Sequence, residues 1–542
     1  MSKKSWLFFV LLLTVSIALI ACSSDDEESS EEGGGEGTAE EGGSDAEDTL
    51  VFGRGGDSVA LDPIMVTDGE SLKVTRNLFE TLVEFGRDDT TINPGLAAEH
   101  AVSEDGLTYT FNLQEGVTFH DGEPFNAAAV VYNFERWANG TEDKFYYYQS
   151  MFGGFSDDEG HVIESVTATD EMTVEFKLKR PQAPFLKNLA MSPFGIASPK
   201  ALEEMSDDEF GENPVGTGPF KFVEWKRNDR IVIEKYDDYW QEGLPKLDQV
   251  IFSSIPENSA RLNALMSGDI DLADGINPSD SSQVEANADL QLFERPSMNV
   301  GYLGLTTTRE PFDDPKVRQA MNYAIDRQAI VDAFFEGSAE VAKNPMPSVI
   351  SGYNDDIEGY DYDPEKAKEL LEEAGLGDGF DMELWAMPVP RPYMPDGQKV
   401  AEAIQNNLSA VGINAEIVTY EWATYLEKAS AGEADAFLLG WTGDNGDADN
   451  FLYVLLDQDN IGSNNYTYYE NQELHDLLIE AQSEVNEDTR NQLYMEAQEI
   501  ILEDAPWVPL AHSTPLLAGD ANLMDFVAHP TGSDLLMDVY FK

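Results

Sequence analysis

An α/β fold in more than one lobe is predicted for this 542-residue chain, on three observations. Strand-like and helix-like stretches alternate from residue 50 to the end, with no low-complexity segment or internal repeat between them. The helical stretches carry sharp start and stop signals. The length, at roughly 100–200 residues per domain, calls for several compact parts with ample core.

Taken in order, Tyr109-Phe111-Leu113 and Val117-Phe119 alternate apolar and polar residues between Gly-bearing turns and are expected to pair as strands. Asn126 is placed to cap a helix from Ala127 to Trp137. Thr173–Lys179 and Arg230–Tyr236 read as strands. Asp314-Pro315 opens a helix expected to stop at Gly337, and Asp363-Pro364 opens one expected to stop at Gly375. Both show an acidic cap, Pro at the first helical position and Gly past the end. A strand at 381–387, a helix at 398–412, a strand at 414–420, a helix at 423–432 and a strand at 436–441 follow. That succession implies a mixed sheet with helices on both faces, where ligands collect on the loops that follow strands. Two such loops stand out: PVPRPYMPDG (388–397) and TGDNGDADN (442–450).

The chain begins with a targeting pattern. Lys3 and Lys4 precede the apolar run Trp6–Ala21, too short and one-sided for a stable membrane span. Leu19-Ile20-Ala21-Cys22 resembles a bacterial lipobox, and Cys22 is the only cysteine in the chain. Residues 1–21 are therefore expected to be a lipoprotein signal peptide, with Cys22 lipidated. Residues 22–49, rich in Ser, Gly and acid, cannot bury enough apolar surface to fold and read as an extended, self-repelling tether.

With 33 Lys+Arg against 103 Asp+Glu, the formal charge is -70, which disfavours nucleic acid and anionic lipid head groups as partners. Such a surface suits a saline or alkaline medium, where salt screens self-repulsion. No catalytic constellation is visible. The six histidines show no HExxH spacing, and there is no G-x-S-x-G elbow, P-loop or free thiol nucleophile. His120 reads as a turn-stabilising residue, and the aspartates of Ser206–Glu209 and Tyr353–Asp356 as solvated turns. The acidic loop at 442–450 fails as an EF-hand, because positions 3 and 12 counted from Asp444 are Gly446 and Leu455. No metal site and no cofactor are expected.

A binding reading fits better. Arg391 lies between prolines, which stiffen its loop, and its planar fork suits a carboxylate. Asp444 follows Trp441-Thr442-Gly443 directly after a strand, where it could receive an ammonium while the glycine admits a close approach. Trp422 and Trp441 supply apolar walls that strengthen both contacts. An acceptor for an α-ammonium and a donor to an α-carboxylate would together act as a ruler. At about 3.3–3.6 Å per residue, two residues separate the charged ends by roughly 7 Å. The alternative is that Arg391 and Asp444 serve the fold, as a salt bridge to each other.

The motifs GVTFHDGEPFNAAAVVYNFER, NPVGTGPFKF, NVGYLGL and DDPKVRQAMNYAIDRQAIV are similar to those of solute-binding lipoproteins of peptide ABC importers. GYNDDIEGYDYDPEKAKELLEEAGL, LWAMPVPRPYMP, IVTYEWATYL and GWTGDNGDADNF resemble the dipeptide-binding branch. The resemblance covers essentially residues 50–542 and implies a bilobed, hinged type-II periplasmic-binding-protein fold. Lobe I would comprise 50–80, 210–295 and 515–542, with a subdomain at 81–209 inserted in it, and lobe II would be 296–514. It implies that Asp444 contacts the peptide ammonium and Arg391 the carboxylate. Pro392, Tyr393, Trp441, Thr442 and Gly443 would line the peptide backbone, and Thr67 would close the site from the first lobe. The function implied is a monomeric, lipid-anchored receptor on the outer face of the cell membrane, which captures dipeptides and delivers them to a permease with ATPase subunits. Other members of the wider family bind longer peptides, nickel chelates, haem or glutathione, and these remain alternatives.

Overall fold

The computed structural model describes residues 48–542 apart from Asp143; the signal peptide, Cys22 and nearly all of the tether lie outside the described residues. Three sheets organise the chain. The first has seven strands in the order Leu290–Glu294, Leu516–Asp520, Leu272–Ile276, Thr49–Arg54, Gln249–Ser254, Arg230–Lys235 and Phe220–Lys226. The second has six, in the order Ala339–Val341, Trp507–Ser513, Asn299–Leu305, Ala436–Thr442, Asp381–Trp385 and Asn414–Val418. A four-stranded antiparallel sheet, built from residues between 97 and 178, packs its own aromatic core around Phe111, Phe134, Phe176 and Phe185. Each of the two larger sheets centres one lobe.

The backbone crosses between the lobes twice, after Glu294 and after Ser513. The crossings are fastened side by side. The Arg295 N–H donates to the Pro515 carbonyl at 2.9 Å, and Asn299 and Ser513 exchange hydrogen bonds of 2.8 and 3.0 Å. Beside them the buried Arg295 guanidinium grips both oxygens of Asp534 at 2.7 and 3.0 Å. Paired crossings of this kind concentrate any lobe rotation in a few residues.

The helix caps form as local chemistry dictates. The Asp314 carboxylate accepts from the Lys316 N–H at 2.9 Å, and Asp363 accepts from Glu365 and Lys366 at 3.1 and 2.9 Å. Gly375 takes the left-handed conformation, φ 79°, just past the end of Pro364–Glu373.

Three expectations are corrected. The single helix from Pro315 to Gly337 is two, Pro315–Ala324 and Arg327–Phe334, because Ile325 is extended and the Asp326 side chain starts a new helix on the Ala329 N–H. Val117–Phe119 does not pair with Thr108–Leu113, whose partners are Ala97–Val102 and Thr173–Leu178; it folds back so that Thr118 bridges Pro124. Ser206–Glu209 is not a plain turn: Ser206 and Glu209 form a reciprocal capping box on the helix Asp207–Glu212. The aspartates of Tyr353–Asp356 do lie in a solvated turn, Asp355 and Asp356 both being exposed, while their neighbour Asn354 is buried and its N–H donates to Gln498 at 3.0 Å. His120 does hold a turn, through its Nε2 and the Gly218 carbonyl 2.9 Å away.

Candidate functional site

The strands Asp381–Trp385 and Ala436–Thr442 are parallel neighbours, with Leu384 opposite Ala436 and Trp385 opposite Phe437. Their carboxyl ends therefore share one edge of the six-stranded sheet, and the two loops singled out from sequence emerge there together.

Tyr393 anchors the first loop. It is buried, with its ring over Gly440 and its carbonyl over Gly301, and a side chain at either glycine would overlap it. The turn is closed by paired backbone hydrogen bonds between Arg391 and Met394, 3.0 and 2.9 Å. This leaves Pro392 and Arg391 exposed at the tip, with the guanidinium 5.4 Å from the Trp422 ring centroid. Arg391 makes no ion pair among the described residues. A Gly440→Ala protein is expected to lose about 1–3 kcal/mol from overpacking. Because Tyr393 supports Arg391, it should also bind ligand more weakly; thermal unfolding and calorimetry check the two effects separately.

In the second loop, Trp441 is half-buried and donates its indole N–H to Asn450 Oδ1 at 3.0 Å. Thr442 pairs with Asn299 across the sheet, and the buried Gly443 donates to the Met298 carbonyl at 2.8 Å. Asp444 follows, half-buried. Its carboxylate accepts from the Tyr147 hydroxyl at 3.1 Å and the Asn450 amide at 3.2 Å, while its own N–H donates to Asn450 Oδ1 at 2.9 Å. No cation of the described residues pairs with it. Burial pushes its pKa up to about 6, against the opposing pull of the Asn450 and Tyr147 hydrogen bonds.

The other acids of this loop have different fates. Burial also disfavours the charge on Asp447, but the Arg490 guanidinium, bonding both oxygens at 2.6 and 2.8 Å, and Lys187 hold it down at about 2. Asp449 is raised to about 7 by burial and by Asp447 next to it, with one hydrogen bond from Gln482 at 2.9 Å opposing. Asp447 is an internal anchor, whereas neither Asp444 nor Asp449 makes an ion pair among the described residues.

The first lobe supplies Thr67, exposed beside Asp68, whose side chain caps the helix Gly69–Leu78. Burial, and then Asp444, Tyr146 and Asp68 among its neighbours, raise the pKa of the Tyr147 hydroxyl. The structure thus groups Arg391, Pro392, Tyr393 and Trp422 on one loop cluster, and Trp441, Thr442, Gly443 and Asp444 on the next. Arg391 and Asp444 do not clasp each other, which removes the salt-bridge alternative. Sequence reasoning missed Tyr147, Asn450 and Arg490. Asn450 lies within the motif already quoted, and the run Tyr146–Tyr148 was the signal for Tyr147.

Two α/β lobes joined by paired crossings, with a carboxylate and a guanidinium that make no ion pair among the described residues on neighbouring loops at one sheet edge, define a ligand-capturing binding protein. Residues 91–463 match the family described as bacterial extracellular solute-binding proteins, family 5 Middle. The dipeptide-binding protein of Escherichia coli (strain K12) is 38% identical over 501 residues, 89% of this chain and 93% of that protein. The heme-binding protein A of Haemophilus influenzae is 36% identical over 517 residues, 92% of this chain and 93% of that protein. Among solved structures, the ABC transporter-associated periplasmic binding protein DppA from Helicobacter pylori, in complex with peptide STSA, superimposes with a TM-score of 0.80 at 36% identity, covering 91% of this chain and 98% of that one. The chain belongs to the family 5 extracellular solute-binding proteins, the binding components of peptide ABC importers, and its work is capture rather than catalysis. No helix of the described residues is long and apolar enough to cross a membrane.

Proposed function

We propose that this protein captures dipeptides through their charged ends and delivers them to a permease driven by ATPase subunits. The observation that carries the reading is Asp444, a half-buried carboxylate with hydrogen bonds but no cation among the described residues, on the same sheet edge as Arg391, a guanidinium with no anion. The peptide ammonium would meet Asp444 and its carboxylate Arg391. Pro392, Tyr393, Trp441, Thr442 and Gly443 would line the backbone, Trp422 would wall the Arg391 end, and Thr67 would close from the first lobe. The dipeptide-binding relative supports this ligand class.

The residue bounds given above for the two lobes and the inserted subdomain belong to the same proposal and are supported by where the three sheets draw their strands. So do lipidation at Cys22, attachment to the outer face of the membrane, and a monomeric state.

A second reading, capture of longer peptides, is favoured by the relative solved with peptide STSA. A calorimetric series of di-, tri- and tetra-alanine separates the two. The dipeptide is expected to bind at least about tenfold more tightly, since a longer chain must bulge or leave one buried charge unpaired; equal affinities favour the longer-peptide reading. Arg391→Ala should weaken the dipeptide by about 30-fold or more while leaving its C-terminal amide nearly unchanged.

A further inference from the structure

The loop that carries Asp444 is also where the inserted subdomain lands. On the short helix Phe185–Leu189, Lys187 donates from Nζ to the Gly446 carbonyl at 2.6 Å and lies 3.9 Å from Asp447 Oδ2. Next to it, Asn188 accepts from the Asn445 side-chain amide at 2.8 Å, both residues being 2% exposed. Asn188 is itself held by the Met151 carbonyl at 3.2 Å. Gly446 sits at φ 64°, and Thr90 packs where its side chain would be, so a bare peptide unit is what lets the two lobes meet here. A backbone hydrogen bond from Ala183 to the Gln482 carbonyl, 2.7 Å, flanks the contact.

On its own lobe the loop is rigid. Asp447 is clamped by Arg490, and Asp444 is tied to Asn450 through both its N–H and its carboxylate. One stiff segment of three residues, Asp444 to Gly446, therefore presents the ammonium acceptor at one end and the docking carbonyl at the other.

We propose that Lys187 and Asn188 are positioning residues that bolt this loop to the inserted subdomain when the lobes shut, so that seating the ligand's ammonium and closing the cleft are one event; this rests on the dipeptide reading above. The bolt forms only in the closed state, and so does a contact between Asp444, Tyr147 and a bound ammonium. Each raises the closed population for the other. Removing the bolt leaves the binding groups in place but speeds opening.

The test is stopped-flow release of a fluorescent dipeptide from the full chain and its Lys187→Met, Lys187→Arg and Asn188→Ala variants, with thermal unfolding of the peptide-free proteins alongside. Lys187→Met is expected to release about 10- to 100-fold faster, the scale of a hydrogen bond from a charged donor. Its association rate should stay within about twofold and its peptide-free melting temperature should not change, because most affinity changes of this kind sit in dissociation. Lys187→Arg restores slow release; Asn188→Ala accelerates it. Unchanged release in Lys187→Met, or faster release matched by a lower peptide-free melting temperature, overturns the bolt while leaving the dipeptide reading standing. A wild-type protein that binds no dipeptide overturns both.

Discussion

Asp444→Asn is expected to abolish useful dipeptide affinity and, at the same time, to make the peptide-free protein more stable. Affinity should fall by about 30- to several-thousand-fold, the cost of leaving a buried ammonium without its counter-charge. Stability should rise because the wild-type carboxylate is ionised at neutral pH against a pKa raised to about 6 by burial. The sign follows from proton linkage. A folded-state pKa above the ordinary value of 3.8 means that this group favours the fold when protonated, and that the benefit is lost as pH rises through about 6. At about 1.4 kcal/mol per pKa unit, the penalty at pH 8 is on the order of 2–3 kcal/mol. Asparagine escapes it. Its carbonyl can accept from Asn450 and its amide can donate to the Tyr147 hydroxyl, which reverses to accept. For the wild type, dipeptide affinity should be level above about pH 6 and fall by up to about tenfold per unit below it. Thermal unfolding with and without peptide from pH 5 to pH 8 reads both effects. An Asp444→Asn protein that still binds dipeptide, or that melts lower than wild type without it, contradicts this assignment.

Arg490→Met carries the largest stability loss expected from a single change, about 3–5 kcal/mol. Asp447 is 3% exposed and both its oxygens are bonded to Arg490, so removing the guanidinium strands a buried carboxylate with only the Asp449 N–H at 3.0 Å and Lys187 at 3.9 Å. The same guanidinium also donates to the Tyr494 hydroxyl at 2.7 Å and the Ala481 carbonyl at 3.1 Å. Arg490→Met with Asp447→Asn should recover part of the loss, because the charge that needed a partner is gone. Urea unfolding of the two single variants and the double variant measures this. A loss under about 1 kcal/mol in Arg490→Met would mean that Asp447 is adequately solvated and does not anchor the loop.

What could be read from the sequence was the chemistry that acts over a few residues. Asp314-Pro315 and Asp363-Pro364 start helices because an acid two or three residues ahead of free N–H groups caps them whatever the rest of the chain does. The break at Ile325 escaped because no Gly or Pro marks it, and Asp326 looks like an ordinary helical acid until its carboxylate is seen capping Ala329. Alternation at Val117 and Phe119 announced an extended segment but not its partner, since pairing is decided by the fold around it.

The site shows the same division. Arg391, Asp444 and Trp441 sit in compact motifs at strand ends, where residue type and position already suggest a role. Tyr147 is 297 residues from Asp444 and Lys187 is 259 from Gly446, and only the meeting of the two lobes brings them together. A single sequence holds no local mark of such contacts. The tripled tyrosine at 146–148 could only have suggested that something large is packed there.

The central claim is that both charged ends of a short peptide are read at once. Calorimetry of one dipeptide beside its N-acetyl and C-amide derivatives tests it most directly. Each blocked form is expected to bind about 30-fold or more weakly than the free dipeptide, and a blocked form that binds as tightly as the free dipeptide would contradict it.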